Sequence, residues 1–104
     1  MELPLAARTL LDSPIESDAV IAIGAVIKGE TDHYHHIASA ASQGLLGASE
    51  DALKPVIFGV LTTDTVEQAV ERIGQASGYA DSAVEMVNRL RGTRERLMGR
   101  GLRF

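Results

Sequence analysis

Nine consecutive residues, Ala19 to Ile27, are apolar or glycine, and Val20, Ile21, Ile23, Val26 and Ile27 among them are β-branched. The run is too short to cross a bilayer, which takes about 20 apolar residues. Its branched side chains favour a pleated strand over a helix. It lacks polar alternation, so it reads as a strand covered on both faces, the kind found inside parallel sheets. Lys28-Gly29-Glu30-Thr31-Asp32 follows, and then Ile37, Ala40, Ala41 and Leu45 recur at helical spacing, with Gly44 and Gly47 expected to end that helix. Pro55 leads into a second strand, Val56-Ile57-Phe58-Gly59-Val60-Leu61, and after Thr62 to Thr65 comes a helical stripe of Val66, Ala69, Val70 and Ile73. Thr65 with Gln68 matches a capping box. Gly74 to Gly78 breaks the periodicity, and Ala83, Val87, Leu90 and Leu97 outline a last helix from near Asp81 toward Met98, with Gly99 and Gly101 fraying.

Ahead of the first strand, Leu3, Ala6, Ala7, Leu10 and Leu11 form an apolar stripe on a helix that tolerates Pro4 in its first turn and stops at Asp12-Ser13-Pro14. Helices alternating with strands imply an α/β fold, a three-layer α/β/α sandwich around a parallel sheet. A chain of 104 residues holds one domain. Two strands make an incomplete sheet, and the first helix has a full stripe with no strand before it. The expectation is that N-terminal strands are missing, supplied by a partner or by an upstream segment.

Composition narrows the chemistry. There is no cysteine, which excludes disulfides, thiolate zinc sites and cysteine nucleophiles together. No signal-peptide pattern opens the chain, so a cytoplasmic location is expected. Six of the ten basic residues lie among residues 89–104, with a single Glu, so the tail is basic and the body acidic. Without interleaved aromatics, those arginines read as a solvated helix end and not as a nucleic-acid surface.

Open α/β sheets bind ligands beyond the carboxyl ends of their strands, which here means the loops Lys28–His33 and Thr62–Thr65. In the first, Gly29 permits close backbone approach, Thr31 offers a hydroxyl, and the next helix turns free N–H groups to the same place. That suits an anion, although Glu30 opposes it, and an ordinary polar loop with a helix cap reads the same way. His33, His35 and His36 cluster in that helix's first turn. Three readings stand: a metal site, disfavoured because His35 points away from the face His33 and His36 share; acid/base work by one neutral imidazole at a helix N-terminus; and solvated surface histidines. Arg72 reads as ordinary surface charge that snorkels or pairs with neighbours such as Glu71, and Phe58 as core or as an aromatic stacked on a planar ring.

Two long segments narrow these alternatives. Gly24-Ala25-Val26-Ile27-Lys28-Gly29-Glu30-Thr31-Asp32-His33-Tyr34, and Phe58-Gly59-Val60-Leu61-Thr62-Thr63-Asp64-Thr65-Val66-Glu67-Gln68-Ala69-Val70-Glu71-Arg72, resemble the lumazine synthase family in content and order. The likeness begins at Glu2-Leu3-Pro4-Leu5-Ala6-Ala7 and reaches Ala83-Val84-Glu85-Met86. It implies a flavodoxin-like sheet and a step of riboflavin biosynthesis. That step condenses 5-amino-6-(D-ribitylamino)uracil with 3,4-dihydroxy-2-butanone 4-phosphate and needs no cofactor or metal. By motif position, His33 corresponds to the proton-transfer histidine, Glu30 and Thr31 to the loop at the butanone phosphate, and Arg72 to the arginine pairing with that phosphate. Ala25, Val26 and Ile27 match the strand end lining the uracil and ribityl pocket. Met1 and Glu2 match positions that contact the same substrate, Met1 standing where the family carries an aromatic. Phe58 matches a residue that a neighbouring subunit supplies, since the family forms homo-oligomers, pentamers or sixty-subunit shells. The resemblance implies neither a nucleic-acid nor a membrane partner. The family's opening strand, first helix and second strand have no counterpart, and Gln75-Ala76-Ser77-Gly78 replaces a Lys-bearing loop near the phosphate. A non-catalytic assembly or flavin-binding relative is the alternative.

Overall fold

The computed structural model describes residues 2–12, 17–29 and 33–101. Along these run α1 (Leu3–Leu11), β1 (Val20–Ile27), α2 (His33–Ala52), β2 (Val56–Thr63), α3 (Val66–Arg72), a 3₁₀ turn (Ile73–Ala76) and α4 (Ser77–Gly99). The two strands pair in parallel, Val20 opposite Val56 through Ile27 opposite Thr63, so the fold is α/β as expected.

Side-chain alternation assigns the layers. A β-carbon built at Gly24 would lie 3.7 Å from Leu3 and 3.8 Å from Val60, so even-numbered residues face α1. One built at Gly59 would lie 2.8 Å from the Tyr79 ring, so odd-numbered residues face α4. The even face carries the core: Ala7, Leu11, Ala22, Leu45 and Ala48 form one buried cluster, with Leu3, Val20, Ala52 and Val56 packed around it. Small residues dominate it because α1 and α2 approach closely. Across that crossing Arg8 meets Asp51 at 2.6 Å on the surface.

Along β1 the odd face is open, whereas on β2 Gly59 and Thr63 of that face are buried. Ile21 is 37%, Ile23 61% and Ile27 38% exposed, which corrects the expectation of a strand covered on both faces. The reason lies in the covering elements: α3 has only 7 residues, and the 3₁₀ turn after it is exposed throughout, so little of β1 is roofed. The apolar run is therefore continuous in sequence but buried on one side only.

Two helix boundaries also differ from expectation. Gly44 and Gly47 do not end α2, which continues to Ala52. Their missing side chains instead make room for α1, since a β-carbon at Gly44 would fall 2.6 Å from Pro4 Cγ and one at Gly47 3.1 Å from the Arg8 guanidinium. The helix stops at Leu53, which takes the left-handed conformation (φ 56°) usual for a glycine after a helix. Arg94 of α4 donates to its carbonyl. The break expected between Gly74 and Gly78 is a 3₁₀ turn leading straight into α4 at Ser77, ahead of Asp81.

Candidate functional site

The carboxyl end of the sheet carries a polar cavity of about 510 Å³ lined by Tyr34, His35, Ala38, Ser39, Thr62, Thr63, Asp64, Gln68 and Arg72. Three elements converge there. From α2 come Tyr34 with Ala38 and His35 with Ser39, pairs four apart that share one helical flank. From β2 come Thr62 and Thr63, and from the next turn and α3 come Asp64, Gln68 and Arg72.

The turn between β2 and α3 is held by its own hydrogen bonds. Thr65 Oγ1 accepts from the Gln68 backbone N–H at 3.2 Å, as the capping box predicts. The return bond is shifted by one residue, because Gln68 Oε1 accepts from the Asp64 N–H at 2.9 Å. Thr63 is buried and its hydroxyl donates to the Thr65 carbonyl at 2.9 Å. Gln68 and Arg72, four residues apart, then present one face of α3 to the cavity.

Below it on the odd face of the sheet lies an apolar groove of about 230 Å³, whose lining includes Ile23, Ala25, Leu61, Val70, Arg72 and Tyr79. Arg72 lines both spaces. It is exposed, and among the described residues no hydrogen bond or ion pair engages its guanidinium.

The remaining expected site residues divide by position. Met1, Glu30 and Thr31 lie outside the described residues. Ala25 and Ile27 belong to the odd face, whereas Val26 belongs to the even face, so the three strand-end residues do not share a side. His33 is exposed and lies about 200° around α2 from His35, toward the flank where Gly44 and Gly47 meet α1. Glu2 stands at the start of α1, where its own backbone N–H holds the carboxyl below the usual range. Neither His33 nor Glu2 lines the polar cavity or the groove. Phe58 is 44% exposed, which corrects the core reading of that residue. Among the described residues no three His, Asp or Glu converge to hold a metal ion, and no helix is long and apolar enough to cross a membrane.

A scan against protein-family models matches residues 1–91 to 6,7-dimethyl-8-ribityllumazine synthase. The chain belongs to the lumazine synthase family. Membership assigns it to riboflavin biosynthesis, with a transferase-type enzyme as the family's activity. The match covers both motifs that carried the resemblance and stops within α4, so the last turns of that helix, with Arg94 and Arg96, lie beyond it.

Sequence reasoning missed His35, Ser39 and Gln68 as cavity residues. The i, i+4 spacing of His35 with Ser39 was the available signal, but it pointed to a cavity only once β2 and α3 were seen to close its other sides.

Proposed function

We propose that the chain condenses 5-amino-6-(D-ribitylamino)uracil with 3,4-dihydroxy-2-butanone 4-phosphate to form 6,7-dimethyl-8-ribityllumazine, inorganic phosphate and two waters. The family match supports this reaction class. The observation that carries it at the site is Arg72, whose guanidinium stands between a polar cavity and an apolar groove with no partner among the described residues. Such a group suits a phosphate, which takes two parallel hydrogen bonds from it, while the groove suits a planar ring.

The 5-amino nitrogen attacks the ketone carbon, and water leaves as the imine forms. A proton then leaves C3 and phosphate leaves C4, giving an enol that becomes a ketone at C3. The ribityl-bearing nitrogen attacks that carbon, and a second water leaves as the ring closes. His33 takes and returns the protons, as its place in the motif implies. Glu30 and Thr31 assist Arg72 at the phosphate, and Met1, Glu2, Ala25, Val26 and Ile27 contact the uracil and ribityl groups. Phe58, exposed on its own chain, completes the site of a neighbouring copy in a homo-oligomer, a pentamer or a sixty-subunit shell. Residues 1–104 are read as one domain of this type.

The test is lumazine formation by the purified chain with both substrates, against a protein-free control for the unaided condensation. A saturable rate above control supports the proposal, and a rate equal to control overturns it. The open odd face, with Ile23 61% exposed, favours one other reading, a relative that binds lumazine or flavin without turnover. Binding of the product lumazine at background rate would select that reading.

A further inference from the structure

We propose that the apolar cavity beneath the second half of α4 binds a small amphipathic carboxylate, an alkyl chain whose anionic head is held by Lys54. The site lies at the amino end of the sheet, where Lys54 and Pro55 lead into β2, whereas the polar cavity lies at the carboxyl end. It does not depend on the condensation reading.

Size and lining are the first argument. The cavity measures about 410 Å³, within the range of about 300–1,000 Å³ usual for small-molecule sites. Leu53, Pro55, Met86, Leu90 and Leu97 give it apolar walls, and Leu53 is 55% and Met86 43% exposed, so a hydrocarbon chain laid there removes apolar surface from water. Met86, Leu90 and Leu97 are spaced by four and seven residues, which makes the roof a single stripe of α4. The two hydroxyls of the lining are used within the chain: Ser49 donates to the Lys54 carbonyl at 2.7 Å, and Thr93 accepts from Arg96 at 3.3 Å. The body of the ligand is therefore apolar.

Charge is the second. Lys54 and Arg94 line the cavity, and no acidic residue lines it with them. Arg94 is held by the Leu53 carbonyl. Lys54 donates to the Leu11 carbonyl at 3.5 Å, the long limit of a hydrogen bond, and although it is half-buried no carboxylate pairs with it among the described residues. An ammonium withdrawn from water is stabilised by a counter-charge, and a carboxylate at the mouth of the cavity supplies one with a charge-assisted hydrogen bond. On the other flank of α4 a smaller cavity of about 260 Å³ shares Lys54 and Arg94, but there Arg91, Asp18 and Glu95 join them. Acids beside those cations repel an anion, so the apolar flank is the one that takes it.

Scale selects the occupant. Nine residues line the cavity, against about 20–30 on each side of a standard protein interface. A single small chain fills such a space, and a docked helix or second copy needs more surface. Thr93, Arg94 and Leu97 lie beyond residue 91, where the family match ends, so part of the roof stands outside the matched segment.

The experiment titrates dodecanoate, below its micellar range, into the full chain by calorimetry. One molecule per chain is expected, and NMR should show the Met86 methyl resonance shifting. Lys54→Gln should raise the dissociation constant about tenfold, the usual weight of one charge-assisted hydrogen bond, and Lys54→Arg should restore most of the affinity. Met86→Gln, which sets an amide in the apolar wall, should also weaken binding. Lys28→Gln, on an exposed lysine at the other end of the sheet, should leave it unchanged. Dodecanol, the same chain without the charge, should bind the wild type about tenfold more weakly than dodecanoate and lose nothing further in Lys54→Gln. An equal loss for both ligands would mean that Lys54 only shapes the cavity, and it overturns the proposal. Absence of saturable binding, several equivalent sites per chain, or an affinity indifferent to Lys54→Gln overturns it as well. If the wild type binds no dodecanoate and Met86→Gln changes the oligomeric state in sedimentation, the cavity belongs to an interface with a second copy instead.

Discussion

The Pro4 ring lies directly over Gly44, so close that a β-carbon added there would fall 2.6 Å from Pro4 Cγ and 2.8 Å from its Cβ. The contact sets how near α1 comes to α2, and with it how deeply Ala7 and Leu11 sink against Leu45 and Ala48. Because the pyrrolidine ring cannot rotate away, the backbone must move to admit a methyl group. Gly44→Ala should therefore destabilise the chain by about 1–3 kcal/mol despite alanine's better helix propensity. Gly74→Ala, with nothing within 4 Å of the new carbon, should be neutral or stabilising by up to about 1 kcal/mol. Urea denaturation of both variants decides the point, and a Gly44→Ala midpoint at or above wild type would show that the crossing is not tight.

A second prediction concerns Leu53, the non-glycine residue with positive φ that terminates α2. A side chain in that conformation costs about 1–2 kcal/mol, and Leu53 is 55% exposed, so its burial recovers only part. Leu53→Gly should raise stability by about 0.5–1 kcal/mol. A fall in melting temperature would mean that its contacts beneath α4, where it lines an apolar cavity of about 410 Å³ with Met86, Leu90 and Leu97, outweigh the strain.

Arg72→Ala should raise KM for the phosphate ketone by about tenfold or more while leaving KM for the ribitylaminouracil within about twofold. Arg72→Lys should recover only part, since an ammonium cannot make the paired hydrogen bonds of a guanidinium. Initial rates with each substrate varied in turn provide the test. Weakening confined to the uracil substrate would move Arg72 out of the phosphate site.

For His33 the expectation lies in turnover. His33→Ala should lower kcat by about 100-fold if the imidazole carries protons in the rate-limiting step, with little change in the binding of inorganic phosphate. An unchanged kcat in His33→Ala would remove its role.

Much of the fold was legible in the residues, and the reasons are local. The stripe from Leu3 to Leu11, the β-branched run ending at Ile27, and Thr65 with Gln68 each declare an element through short-range sterics and hydrogen bonding that need no distant partner. Gly44 and Gly47 misled for the same reason. A glycine reads as a helix terminator from its backbone freedom, whereas here it answers to Pro4 and Arg8, some forty residues away in sequence. Site residues divided likewise. Arg72 and His33 were marked by their motifs, but His35 gained meaning only from the cavity that closes around it.

Element types, the parallel α/β class and the family motifs thus followed from sequence alone, because periodicity, branching and capping act within a few residues. Tertiary structure decided which side of β1 is buried, that α1 and α2 cross through glycines, and that Arg72 stands between a polar cavity and an apolar groove. Each of these depends on the distance between segments that the chain brings together only by folding, and no local rule encodes that distance.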